Sequence, residues 1–213
     1  MIMSDSNIKP IYCILKVAIS KSRLEVIMSL SLVVIQGPSA SGKSTIQSML
    51  GLPRIVTWTS RSPRAGEVDG VDYFFKSRAE MQKLYEQGQM IEMTEYHENL
   101  YGTPTQLIEE IIRKSELRSV ILDEAGAKRI KQFFSGNVLL VGVKAERQEC
   151  ARRLEIRGQR ASDIDARLSS FEVEIRALSQ CDIVLNNTDE NREKIDHIVR
   201  YLKGGLGNHY GSL

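Results

Sequence analysis

The sequence predicts an α/β protein, three αβα layers around a parallel central sheet, with an inserted subdomain and a lid. Three observations carry this. Short, wholly apolar runs alternate with stretches of helical spacing, as strands buried on both faces by helices require. The first such run feeds a glycine-rich turn that ends in Lys-Ser. Two stretches then interrupt the alternation: 59–76, whose residues no core element can use and which reads as a binding loop, and the polar, arginine-dense 146–167.

In chain order, residues 1–27 come first. Their apolar stretch Ile11–Ile19 is broken by Lys16 and followed by Lys21 and Arg23, so it is too short and too charged to span a bilayer. No small-residue cleavage pattern follows it. These residues read as an N-terminal extension of a domain at 28–213: a disordered tail, a start-site artefact, or an added strand or helix. Leu32–Ile35 is the first buried strand, and Ser44–Leu50 a brief helix stopped by Gly51-Leu52-Pro53. Ser77 and Glu80 form a capping box ahead of a helix carrying Met81, Leu84 and Tyr85. Thr103 is expected to cap the next helix, with Pro104 in its first position and Gln106 completing a second box. Leu107, Ile108, Ile111 and Ile112 supply that helix's apolar face. Val120–Leu122, Val138–Val143 and Ile183–Leu185 are further buried strands. Ile195, Ile198, Val199 and Leu202 give the last helix its stripe, and Gly204-Gly205 is expected to end it. Trp58 and the methionines read as packing, and His97 as a polar loop residue.

Composition narrows the function classes. Of 213 residues, 42% are hydrophobic and 26% charged, which is ordinary soluble globular usage. Basic and acidic residues number 29 and 27, a formal charge of +2, so no global pull toward nucleic acid or an acidic membrane follows. The partners expected are small molecules. Three cysteines (Cys13, Cys150, Cys181), odd in number and never in C-x-x-C, point to reduced thiols in a cytoplasmic protein.

Gly37-Pro38-Ser39-Ala40-Ser41-Gly42-Lys43-Ser44 satisfies G-x-x-x-x-G-K-S/T between a strand and a helix. Successive backbone N–H groups of such a loop, with the helix N-terminus, point at a phosphate. Lys43 then neutralises β- and γ-oxygens, Ser44 can ligate Mg²⁺, and Gly37, Ser39 to Gly42 and Thr45 complete the cradle. The predicted fold is therefore of the P-loop NTPase type.

A loop alone does not name the reaction. Thr59-Ser60-Arg61-Ser62-Pro63-Arg64-Ala65-Gly66-Glu67, continuing through Gly70 to Asp72-Tyr73, resembles the guanylate kinase pattern T-T/S-R-x-x-R-x-G-E-x-x-G-x-D-Y. The resemblance continues through Ile91-Glu92, Asn99-Leu100-Tyr101-Gly102-Thr103-Pro104, Arg153, Arg157-Gly158, Arg167-Leu168, Glu174, Asp182 and Asn187. It implies transfer of the γ-phosphoryl group of ATP onto GMP with Mg²⁺. It further implies that Arg61, Arg64, Tyr73 and Tyr101 hold the GMP phosphate, with Glu67 in the same GMP-binding set. Thr57, Glu92, Thr103 and Asp123 would read guanine, whose N1–H and N2–H₂ donate to carboxylates while O6 accepts from hydroxyls. Lys43, Arg153, Arg157 and Arg167 would act on the moving phosphoryl group. The implied parts are a core at 28–58, 104–145 and 168–213, a GMP-binding insert at 59–103 and a lid at 146–167.

The match weakens at two places. Where the family usually has D-x-D-x-Q-G, Asp123-Glu124-Ala125-Gly126 is two residues shorter, so Glu124 is the substitute for a second acidic position that holds Mg²⁺ through water. Ala40 replaces a more usual glycine, which requires its φ to stay negative. Two alternatives remain beside the kinase: a related phosphokinase on a sugar phosphate such as ribose 1,5-bisphosphate, and a non-catalytic guanylate-kinase-like binding module. Glu92 and Thr57 weigh against the former, and Lys43, Arg153 and Arg157 against the latter.

Overall fold

A computed structural model describes residues 30–64, 66–96 and 98–210. The expectations for residues 1–27, including Cys13, and for His97 lie outside the described residues. In chain order the elements are β1 (Leu32–Gln36), α1 (Lys43–Leu50), β2 (Trp58–Thr59), β3 (Phe74–Phe75), α2 (Arg78–Glu86), β4 (Met90–Tyr96), β5 (Asn99–Pro104) and α3 (Thr105–Arg113). There follow β6 (Arg118–Ile121), α4 (Glu124–Phe133), β7 (Val138–Lys144), α5 (Arg147–Ile156), α6 (Ala161–Leu168), α7 (Phe171–Ala177), β8 (Ile183–Asn186) and α8 (Arg192–Tyr210).

Why the apolar runs become a parallel sheet is visible in β1, all five of whose residues are buried. Its side chains alternate: Val33 and Ile35 pack with Ile46 and Leu50 of α1 and Ile195 and Val199 of α8. Leu32 and Val34 pack with Ile108 and Ile111 of α3 and Ala127 and Ile130 of α4. Helices thus cover both faces. The strand order is β6-β1-β7-β8, parallel throughout. Beyond β6, Pro53–Ile55 adds a rudimentary strand: Ser119 N–H donates to Pro53 O and Ile55 N–H to Ser119 O, both at 2.9 Å.

A second sheet, β3-β2-β5-β4, lies within residues 58–104. One face packs against α2 through Met81, Met90 and Leu100, with Trp58, Leu84 and Met93 alongside. The predicted Ser77–Glu80 box starts α2: Ser77 Oγ accepts from Glu80 N–H and the Glu80 carboxylate accepts from Ser77 N–H. The sheet's other face opens onto a cleft. No helix of the described residues is long and apolar enough to cross a membrane.

Three local expectations fail, each for a tertiary reason. Thr103 does not cap a helix. It lies in β5 opposite Glu92, and the ladder keeps the chain extended as far as Pro104, which precedes α3 without a side-chain cap. Gly204-Gly205 does not end α8, which runs on to Tyr210. Leu206 beyond them is buried in the main core, offsetting a cost of about 1 kcal/mol per helical glycine. The stripe of α8 accordingly runs Ile195, Val199, Leu202, Leu206, and Ile198 lies off it, 43% exposed. Ala40, finally, has φ +60°, in the left-handed region instead of the negative one.

Candidate active site

The glycine-rich loop joins β1 to α1 as predicted. Lys43 Nζ donates to the carbonyls of Gly37 (2.6 Å) and Pro38 (2.8 Å), folding the ammonium back over the loop. Burial pulls its pKa down to about 8, against the negative potential of Glu174, which works to raise it. Gly42 has φ +101°, and a Cβ there would fall 2.0 Å from Asn187 Nδ2. That close approach is used: Asn187 Nδ2 donates to Ser41 O at 2.7 Å, pinning the loop to the end of β8. Ser41 Oγ is buried without a partner among the described residues. Ser44 and Thr45 are exposed in the first turn of α1.

Arg61, just after β2, is held by a fork. Its Nη2 donates to both oxygens of Glu67 (2.8 and 2.9 Å), and Arg64 N–H donates to the same carboxylate at 2.8 Å. Burial opposes the charge on Glu67, but these bonds outweigh it and hold the carboxyl below its ordinary value. The Arg61 guanidinium stands 5.5 Å from the Tyr73 ring centroid, and Tyr73 meets Tyr101 edge-on at 6.2 Å. Burial, then the neighbouring Tyr101, push the Tyr73 phenol up, so it stays a proton donor. Arg61, Arg64, Tyr73 and Tyr101 all line one cleft of about 310 Å³. Glu67 acts on that cleft through Arg61.

Glu92 of β4 is buried, and Thr103 Oγ1 donates to its Oε1 at 2.5 Å. Burial raises its pKa to about 7, and the charge of Asp123 adds to the rise while the Thr103 bond opposes it. Asp123 caps α4, its Oδ1 accepting from Gly126 N–H at 2.9 Å. Gly126 packs closely here: a Cβ there would lie 3.2 Å from the Glu92 carboxyl carbon, so that side chain would have to shift by a few tenths of an ångström. Glu92, Asp123, Thr57 and Glu124 line the same cleft as Lys43 and Arg61.

The three later arginines fare differently. Arg167 of α6 lines the cleft. Arg153 of α5 reaches the loop carbonyls of Ala40 (3.3 Å) and Ser41 (3.4 Å), and its other nitrogen donates to Glu149, Asn187 O and Asp189 at 2.9, 3.0 and 3.1 Å. Arg157 caps the C-terminus of α5 and is exposed, with its charge felt at Lys43.

Sequence reasoning assigned no task to four residues that the structure brings in. Glu149 and Asp189 clamp Arg153, and Asn187 anchors the loop. Glu174 lines the cleft with Oε2 buried and, among the described residues, unpartnered, while its Oε1 accepts from Ser170 Oγ at 2.7 Å. The motifs included Glu174 and Asn187, but no spacing rule connects them to a loop more than 130 residues earlier.

A profile of the guanylate kinase family matches residues 29–204. The chain is 32% identical over 182 residues to a guanylate kinase of Rubrobacter xylanophilus, covering 82% of this chain and 95% of that protein. It is 35% identical over 164 residues to a guanylate kinase of Desulfitobacterium hafniense, covering 74% and 82%. Among solved structures, guanylate kinase from Anaplasma phagocytophilum superposes with a TM-score of 0.65 at 25% identity, covering 84% of this chain and 85% of that one.

Proposed function

The chain belongs to the guanylate kinase family of nucleoside-monophosphate kinases, and we propose from that premise how its residues move the γ-phosphoryl group of ATP onto GMP. The observation that carries the division of labour is a single cleft. It joins the Lys43 loop, the Arg61–Arg64–Tyr73–Tyr101 group and the buried Glu92.

ATP enters along the loop from Gly37 to Thr45. Its phosphates take Lys43 Nζ from the Gly37 and Pro38 carbonyls, together with the N–H groups at the start of α1. GMP enters with its phosphate between Arg61 and Arg64, two forks matched to a dianion, while Tyr73 and Tyr101 donate without adding charge. Glu92 and Asp123 accept from guanine N1–H and N2–H₂, and Thr57 and Thr103 supply hydroxyls. Adenine would set its N1 lone pair against a carboxylate; two such mismatches disfavour AMP by roughly 10²–10⁴-fold. The acceptor phosphate is already ionised, so no strong base is needed, and catalysis is positioning and charge neutralisation by Lys43, Arg153, Arg157 and Arg167. Arg153 reaches a phosphate by exchanging its bonds to Glu149 and Asp189.

Mg²⁺ fits the donors available. Exposed Ser44 in the first turn of α1 and exposed Glu124 on the cleft wall are both hard oxygen ligands, the type this cation takes beside phosphates and water. When bound, it would neutralise charge on the transferred phosphate. The insert at 59–103 and the lid at 146–167 close on the core as both nucleotides bind; identical free and doubly liganded structures would refute this. A small-molecule reaction of this kind fits the cytoplasm.

The test is ADP release with Mg·ATP and a panel of GMP, dGMP, AMP, UMP, CMP and ribose 1,5-bisphosphate, with Lys43→Ala as control. GMP-dependent ADP formation, lost in the control, is expected. Turnover of the sugar phosphate with silence toward GMP would overturn the reading.

A further inference from the structure

One polar group on the cleft face of the second sheet has no task in the scheme above. In the antiparallel ladder of β4 and β5, Glu92 stands opposite Thr103 and Thr94 opposite Tyr101. Side chains alternate across a sheet, so these four share one face. Met93 and Leu100 project to the other, where they pack beside α2. Thr94 lines the cleft and is half-buried. Its hydroxyl has no hydrogen-bond partner among the described residues.

Position says what such a hydroxyl would meet. It lies one strand step, about 6.8 Å, along β4 from Glu92 and about 5 Å across the ladder from Tyr101. In the reading above, Glu92 takes the base and Tyr101 the phosphate. The part of a nucleoside 5′-monophosphate between those two is the sugar. The edge is defined as well. From N1–H and N2–H₂, held by Glu92, the next polar groups toward the phosphate are guanine N3 and the ribose 2′-hydroxyl. N3 can only accept, whereas the 2′-hydroxyl both donates and accepts, as threonine does.

We propose that Thr94 reads the ribose 2′-hydroxyl of the acceptor and makes the site prefer the ribonucleotide to its 2′-deoxy counterpart. The proposal rests on the GMP-site reading and adds a specificity residue to it. A neutral hydrogen bond formed only with the ribonucleotide gives a preference of about 3- to 10-fold.

The experiment compares the parent chain with Thr94→Val, Thr94→Ala and Thr94→Ser, using GMP and dGMP at saturating Mg·ATP. Valine keeps the shape and the strand preference while removing the hydroxyl, and a thermal midpoint for each variant checks that it folds. Expected is a fall of about 3- to 10-fold in kcat/KM for GMP in Thr94→Val, carried by KM, with dGMP changed less than about twofold. Serine should restore the preference. An unchanged GMP-to-dGMP ratio in Thr94→Val overturns the proposal, whether both values fall together or neither does. Absence of GMP turnover by the parent chain would be a separate result and would remove the reading on which the proposal stands.

Discussion

Replacing Glu92 by glutamine separates the carboxylate's charge from its shape. The amide keeps an oxygen for the Thr103 hydroxyl and nearly the same volume, but it cannot ionise. In the folded chain burial lifts the Glu92 pKa from 4.5 to about 7. That difference of roughly 2.5 units is about 3 kcal/mol of pH-dependent free energy. The sign follows from proton binding. Below pH 4.5 both folded and unfolded chains hold the proton and there is no penalty. As pH rises, the unfolded chain releases it first, so this residue lowers stability from pH 4.5 up to about 7, with no further change above. Between pH 5 and 8 the loss amounts to about 2.5 kcal/mol, and Glu92→Gln does not suffer it. Thermal unfolding of both proteins at several pH values measures this. The difference between their midpoints should shift toward the variant by roughly 5–10 °C over that range. Lys43 titrates in both proteins and cancels in the comparison. Activity should move the opposite way: at pH 8 the variant loses about 10- to 100-fold in kcat/KM for GMP, because a charged acceptor is missing. The parent's affinity for GMP should weaken below pH 7, where the carboxylate takes its proton back. A midpoint difference that stays flat from pH 5 to 8 would refute the reasoning, since it would mean that Glu92 titrates as an ordinary exposed acid.

Three further outcomes are expected. Ala40→Gly should stabilise the chain by about 0.5–1 kcal/mol in denaturant unfolding, because glycine relieves the left-handed φ at a smaller entropic cost. ATP binding to the free protein, followed by calorimetry, should weaken above pH 8, where the half-buried Lys43 loses its proton, and Lys43→Ala should abolish that break. Glu67→Ala should raise KM for GMP by about 3- to 10-fold with little change in KM for ATP, since it frees Arg61 from its fork without touching the Lys43 loop; equal effects on both substrates would count against the assignment.

Much of the site could be read along the chain because its parts are local. The phosphate loop is eight consecutive residues between a strand and a helix, so its pattern is complete within one short segment. The Ser77–Glu80 box closes within four residues, and the structure forms it as the sequence predicts. Arg61, Arg64, Glu67 and Tyr73 sit on one short segment, so their grouping needed no knowledge of the fold. The apolar runs likewise announced β1, β6, β7 and β8; β1, at the centre, is buried on both faces, whereas β8 lies at the sheet edge with Val184 exposed.

Other features were settled by contacts between distant segments, where local preference is only one of several forces. Thr103 has the sequence of a helix cap, yet the β5 ladder holds it extended and gives its hydroxyl to Glu92. Gly204-Gly205 has the sequence of a stop, yet burial of Leu206 carries α8 past it. Ala40 takes a backbone angle that its own side chain disfavours. Asp189, from the segment after β8, joins Glu149 of the same helix on Arg153 and holds that side chain in place. The sequence by itself determined the fold class, the glycine-rich loop and the grouping of Arg61, Arg64, Glu67 and Tyr73, since the first rests on alternation along the chain and the others on spacing within short segments. Only the tertiary structure decided the partner of Thr103, the bonds from Arg153 to Asn187 and Asp189, the raised pKa of Glu92 and, among the described residues, the unpartnered hydroxyl of Thr94. Burial and cross-strand register depend on which distant segments come to lie side by side, and that is a property of the packed chain.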